Sequence, residues 1–183
     1  MPMWGYALLG AGLLIIWIIG VYNGLIRKKL SVENNFSQIK IQCKRRFDLL
    51  PNLIETVKGY AKHEKETLDN VINARNRGAS ANNPEALADA NNQVSQALGR
   101  LFALSEAYPD LKANTNFIQM QNELSSLEKA IAVSRQIYND SVMVYNRAIM
   151  VFPSMIVAGF FRFMKEEFFD APEAELQNIK VGF

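Results

Sequence analysis

FSQIKIQCKRRFDLLPNLIETVKGYAKHEKETLDNVINAR, residues 36–75, carries its apolar side chains on one helical stripe. Phe36, Cys43, Leu50, Val57 and Val71 stand seven or fourteen apart, with Phe47, Ile54, Ala61 and Leu68 between them. That three-four rhythm, sustained over several heptads, predicts a long helix with one buried seam. At 1.5 Å per residue it would be a rod of about 60 Å. Pro51 falls near its middle, where proline removes one backbone donor and bends a helix. Asp48 offers the other reading, a fresh helix with Pro51 in its first turn. The stripe keeps its phase from Phe47 to Ile54, which favours one kinked helix. It falters at Glu64, where either the seam ends locally or the carboxylate has a polar partner.

Upstream, residues 3–26 carry no charged side chain and are long enough to cross about 30 Å of hydrocarbon. Trp4 and Tyr6 mark one end and Tyr22 the other, as interfacial anchors do. The segment lacks the basic start and small-residue cleavage site of a signal peptide, so an uncleaved anchor is expected. Arg27, Lys28 and Lys29 follow at once and predict an N-terminus outside and the body of the protein in the cytoplasm. The same three cations would also meet anionic headgroups. Gly20 and Gly24 have the spacing that lets spans pack closely.

Downstream, the pattern predicts a loop over residues 76–84, with Gly78 just past a helix end and Asn83, Pro84 and Glu85 opening the next helix. That helix runs to about Glu106. Tyr108, Pro109 and Asp110 punctuate the chain again, and a third helix keeps the rhythm from Phe117 through Tyr138 and Tyr145 to Phe152. Tyr138-Asn139 and Tyr145-Asn146 repeat one heptad apart, and such tyrosines are expected in the core with each hydroxyl on a partner. Residues 154–164 read as a fourth, short helix that caps the bundle or lies against the bilayer. The expected fold is all-α: an N-terminal transmembrane helix (1–26), an antiparallel, up-and-down, four-helix-like bundle (27–169) and an irregular tail (170–183).

The chain's chemistry is sparse. It has 183 residues, a formal charge of +2, one cysteine and one histidine. The balanced charge gives no nucleic-acid field. Cys43 excludes an intrachain disulfide and lies on the apolar stripe. His63-Glu64 begins like a zinc-protease motif, but position 67 is threonine. One histidine cannot furnish a di-metal bundle. No phosphate-binding loop, nucleophile elbow or paired-cysteine motif occurs, so neither an enzyme nor a cofactor is expected. Charged residues flanking two corners, Arg45, Arg46 and Asp48 beside Pro51 and Glu106 and Asp110 beside Tyr108-Pro109, would fix the helix register if they paired. The alternative is separate, exposed charges.

Several blocks in order also carry a resemblance: Tyr22-Asn23-x-Leu25, Arg45-Arg46-Phe-Asp48-Leu-Leu-Pro51-Asn52-Leu, Val57-Lys58-Gly59-Tyr60-Ala-x-His63-Glu64, and Glu106-Ala-Tyr108-Pro109-Asp110-Leu-Lys112. With Tyr138-Asn139, Tyr145-Asn146 and Phe152-Pro153 they resemble the bacterial LemA family over nearly the whole chain. The resemblance implies a membrane-anchored antiparallel helical bundle with no established enzymatic activity. It also implies work at a membrane beside a membrane-bound protease or other envelope proteins. The reading of the residues adds an oligomerising scaffold or adaptor, with the lipid bilayer and further copies of the chain as partners. The alternatives are a membrane-surface module that senses or shapes the bilayer through Arg27 to Lys29 and Met155 to Phe163, or an accessory factor to membrane protein quality control.

Overall fold

The computed structural model describes residues 3–61 and 63–169, and among them every regular element is helical. The expected irregular tail, 170–183, lies outside the described residues. The elements are α1 (Met3–Lys58), α2 (Lys65–Ser80), α3 (Pro84–Ser105), α4 (Pro109–Lys112), α5 (Thr115–Met150) and α6 (Ser154–Phe160). They group into two compact units. Among the described residues, one joins those up to Asn35 with Ile137–Glu167, and the other is Phe36–Gln136 with Phe168 and Phe169.

In the second unit the seam read from the sequence is the core. Cys43, Leu50, Leu53, Val57 and Val71 are fully buried. Burying each such aliphatic side chain contributes about 1.5–3 kcal/mol. Pro51 sits inside α1 on an exposed face. There its missing N–H and its ring are accommodated without breaking the helix.

The stem is not one rod. α1 ends at Lys58, and the chain folds back through a turn into α2, so that Arg75 Nε donates to the Phe47 carbonyl at 3.4 Å. The physical reason lies in residues 57–64. The Val57 carbonyl accepts from both Tyr60 (3.0 Å) and Ala61 (2.8 Å), tightening the last turn where Gly59 offers no side chain to pack. A one-sided seam must be covered, and doubling back covers it with its own continuation. The turn preserves the stripe's phase, since Ala61 and Leu68 are both buried. Periodicity alone therefore could not reveal it.

Gly78 is likewise not a terminator. It lies within α2, buried, and a Cβ there would stand 2.4 Å from the Phe47 ring. Its role is close approach of two helices. α2 ends instead at Ser80, with Asn83 capping α3: its Oδ1 accepts from the Ala86 N–H at 2.7 Å. The helix expected from Asp110 onward is divided. α4 is a single turn, and Asn114 starts α5 afresh, its Oδ1 accepting from Phe117 N–H at 3.0 Å.

In the first unit α5 runs antiparallel to α1. Asp140, Ser141 and Val144 share a groove with Lys28 and Ser31. α6 turns away from α5 by 91° and is shorter than expected. It closes on Arg162, whose φ of 57° is left-handed. Phe163 N–H bonds the Ala158 carbonyl at 2.9 Å and Arg162 N–H the Gly159 carbonyl at 3.2 Å. This paired arrangement ends helices at a left-handed residue, more often glycine. Residues 161–167 then return alongside α5.

Candidate functional site

Three places concentrate polar function within apolar surroundings. In the second unit, α1 presents Arg46 to α3 and α5. The residue is 3% exposed. One guanidinium nitrogen donates to Asn91 Oδ1 at 2.6 Å and pairs with Glu128 Oε2 at 2.5 Å. Ser95 Oγ donates to the same carboxylate at 3.2 Å. Arg46 Nε is buried with no partner among the described residues. Burial lowers the guanidinium's pKa from its ordinary value, while Glu128 pushes it back up. Cys43 lies on the same face of α1, one turn earlier. Burial pushes its thiol up to about 12 against the opposing pull of Arg46, so it is not a thiolate near neutrality. An open groove of about 470 Å³ runs over this cluster, with Leu98, Phe102 and Leu124 among its walls.

The first unit holds the second place. Tyr138 and Tyr145 are buried on α5, and their hydroxyls donate to the backbone carbonyls of Glu167 (2.7 Å) and Met164 (2.9 Å). Asn146 bonds both backbone groups of Glu166, its amide donating to the carbonyl and its oxygen accepting from the N–H, each at 2.9 Å. Tyr138, Tyr145 and Asn146 thus give the return segment the backbone partners a neighbouring strand would give. Burial raises both phenols, helped by nearby Glu166, with Tyr138 reaching about 12.

The third place is the apolar start of α1. Trp4 and Tyr6 are 80% and 65% exposed, and the helix is long and apolar enough to cross a membrane. Tyr22 packs its ring 4.7 Å from Phe161 and 5.7 Å from Phe163. Arg27 Nε donates to the Asn23 carbonyl at 3.3 Å, Lys28 borders the groove with Asp140, and Lys29 stands 3.9 Å from Glu166. A single N-terminal apolar helix of this kind fits membrane anchoring.

Of the two readings of the charged corners, pairing across them or separate charges, the structure has the second for Arg45, Asp48 and Glu106. Arg45 is exposed, and Asp48 pairs with Lys44 on its own helix at 2.6 Å. Glu106 pairs with Lys112 at 2.5 Å across the Tyr108-Pro109 corner, while Pro109 and Asp110 open α4. Tyr108 reaches the stem by another route, its hydroxyl 3.2 Å from Glu64. The faltering stripe at Glu64 is thereby explained: the seam turns there, and the carboxylate has a polar partner. Sequence reasoning missed Asn91 and Glu128, the partners Arg46 has. Their signal was available. Asn91 sits between Leu87 and Val94, and Glu128 between Leu124 and Ile131, each at three-four spacing on an apolar face.

Among the described residues, no group of three or more His, Cys, Asp and Glu side chains converges. The groove over Arg46 offers a neutralised cation and apolar walls.

A family model described as the LemA family matches residues 35–183. Protein LemA of Metamycoplasma hominis is 27% identical over 178 residues, covering 97% of this chain and 81% of that protein. Magnetosome protein MamQ 2 of Paramagnetospirillum magneticum is 24% identical over 179 residues, covering 84% of this chain. Magnetosome protein MamQ of Magnetospirillum gryphiswaldense is 24% identical over 174 residues. The chain spans 66% and 64% of the length of these two magnetosome proteins. None of the three names is that of an enzyme.

Proposed function

The chain belongs to the LemA family, and on that premise we propose a non-enzymatic, single-pass membrane protein whose helices serve as an oligomerising scaffold or adaptor at the bacterial inner membrane. The observation that carries the proposal is the continuity of α1. One helix begins as an exposed apolar segment, with Leu13, Ile15 and Ile16 each more than half exposed, and continues as the buried seam at Cys43, Leu50 and Val57. The element that holds the membrane is also the element on which the second unit is assembled. The cations Arg27, Lys28 and Lys29 favour an N-terminus outside and the second unit in the cytoplasm. The partners proposed are the bilayer, further copies of the chain, and a membrane-bound protease or other envelope proteins.

Exposed apolar side chains on α5, including Val133 (58%) and Met143 (55%), give further copies a surface to meet. Light scattering of the full chain in lipid nanodiscs and in mild detergent tests the scaffold. We expect a defined oligomer. A strict monomer at high protein concentration overturns the oligomerising role and leaves the adaptor role to be sought by crosslinking in cells.

A further inference from the structure

The corner between α5 and α6 exposes an apolar surface that no side chain among the described residues covers. Phe152 is 76% exposed, Met155 50%, Ile156 59%, Phe160 81% and Met164 78%. α6 has no charged residue, and its two buried side chains, Val157 and Ala158, are also small and apolar. Water meets this element with nothing to solvate. Large exposed apolar patches mark interaction sites, so the question is what covers this one.

Its place in the first unit answers. α5 descends antiparallel to α1, and the residues just after α6 stack on Tyr22: Phe161 at 4.7 Å and Phe163 at 5.7 Å. Tyr22 is the aromatic residue closing the apolar span, so the corner is level with the end of that span. α6 then turns 91° from α5. With α5 running along α1 beside Lys28 and Ser31, a right-angle turn places α6 across the axis of α1. That is the attitude of a helix lying in the membrane–water interface. Charge follows the same plan. Arg147, Arg162 and Lys165 flank the apolar corner, and Lys28 and Lys29 stand beyond Tyr22 on α1. Cations at headgroup level beside buried aromatic and aliphatic side chains are the usual arrangement of an interfacial anchor.

We propose that the α5–α6 corner, through Phe152, Met155, Ile156, Phe160 and Met164, inserts into the same leaflet in which the α1 span ends, giving the protein a second, non-spanning hold on the bilayer. This rests on the membrane-anchored reading above. The span and the corner together fix the first unit to the membrane surface at two points, so the protein cannot swivel freely about its anchor. The bilayer is favoured over a protein partner because the patch is continuous, through the Tyr22 stack, with a surface already suited to lipid.

The test is site-directed spin labelling of the full chain in phosphatidylcholine–phosphatidylglycerol vesicles, in a Cys43→Ala background. Labels are placed by Met155→Cys, Phe160→Cys, Ile16→Cys in the span and Gln119→Cys on an exposed face of α5. Collisions with oxygen, which concentrates in lipid, are compared with collisions with a water-soluble nickel chelate. We expect the labels at 155 and 160 to match that at 16, with strong oxygen and weak chelate broadening, and that at 119 to show the reverse. If 155 and 160 behave like 119 while 16 reads lipid, the corner lies in water and the proposal falls with the anchor intact. If 155 and 160 are shielded from both reagents, a second copy or another protein covers the corner, and the lipid assignment is overturned. A chelate-accessible label at 16 overturns the anchored reading and this proposal with it.

Discussion

Arg46 bears a positive charge at 3% exposure, and the identity of its partner decides what that charge does. A buried ion pair is weak support for stability, but removing one member leaves an uncompensated charge. Glu128 is half exposed, its side chain at 46%, so solvent screens part of the interaction. A double-mutant cycle of Arg46→Met with Glu128→Gln should give a coupling of about 0.5–3 kcal/mol. The same cycle with Glu106→Gln should give none beyond additivity error, because Glu106 belongs to Lys112. Chemical denaturation of the full chain in detergent reads both. Cys43 makes a second residue-scale prediction. Its thiol rises from an ordinary 9.0 to about 12 in the fold. The folded protein keeps a proton that the unfolded chain releases, so stability is intact below pH 9.0 and declines as pH rises towards 12. One such proton gives a slope of at most about 1.4 kcal/mol per pH unit. Cys43→Ala should flatten the decline between pH 9 and 10, before Tyr138 begins to add its own. Cys43's burial was legible from its place on the stripe. The Arg46–Glu128 pairing was not, because one-dimensional spacing places an acid on a face but does not say which face it meets across the core.

At the scale of elements, the rhythm of residues 36–75 was read correctly as a seam and wrongly as a rod. Phase is blind to direction: a hairpin whose turn spans a suitable number of residues keeps every apolar position in register. What the sequence did carry was local chemistry, Gly59 at the end of α1 and Glu64 interrupting the stripe. The helix limits at Asn83 and Ser105 were readable because capping depends on near neighbours. Gly78 was misread because a glycine near a loop looks the same whether it ends a helix or admits a neighbouring ring. That distinction is testable. Gly78→Ala gains up to about 1 kcal/mol in helix propensity, whereas the overlap with Phe47 costs about 1–3 kcal/mol as an overpacked core. A terminating glycine would have left no such overlap. We expect a net fall in thermal stability, read by circular dichroism. Adding Phe47→Leu to Gly78→Ala should recover most of it, although Phe47→Leu alone is destabilising.

For the whole molecule, the apolar N-terminal helix was the most legible feature, because an uncharged stretch long enough to cross a membrane is a matter of composition and needs no tertiary information. The return segment 161–167 was the least legible. Its partners are side chains of α5 acting on backbone groups, and no periodic pattern encodes where an extended segment will lie. The anchor predicts a simple failure. Each lysine at the centre of a span opposes insertion by about 2.5–3.5 kcal/mol, so Leu14→Lys with Ile16→Lys should move the protein out of the carbonate-resistant membrane fraction. The unaltered chain should stay in it.

The two tryptophans, Trp4 and Trp17, both lie in that apolar stretch, 80% and 38% exposed on the surface of α1. The remainder of the protein has only tyrosine and phenylalanine as its aromatic chromophores. On the proposed anchoring, intrinsic tryptophan emission is a lipid signal. Its maximum should report solvent penetration around the span and pass almost unchanged through the melting of the second unit. Far-ultraviolet dichroism follows that melting instead, so the two spectra, taken on one sample, separate detachment from the bilayer from unfolding beside it.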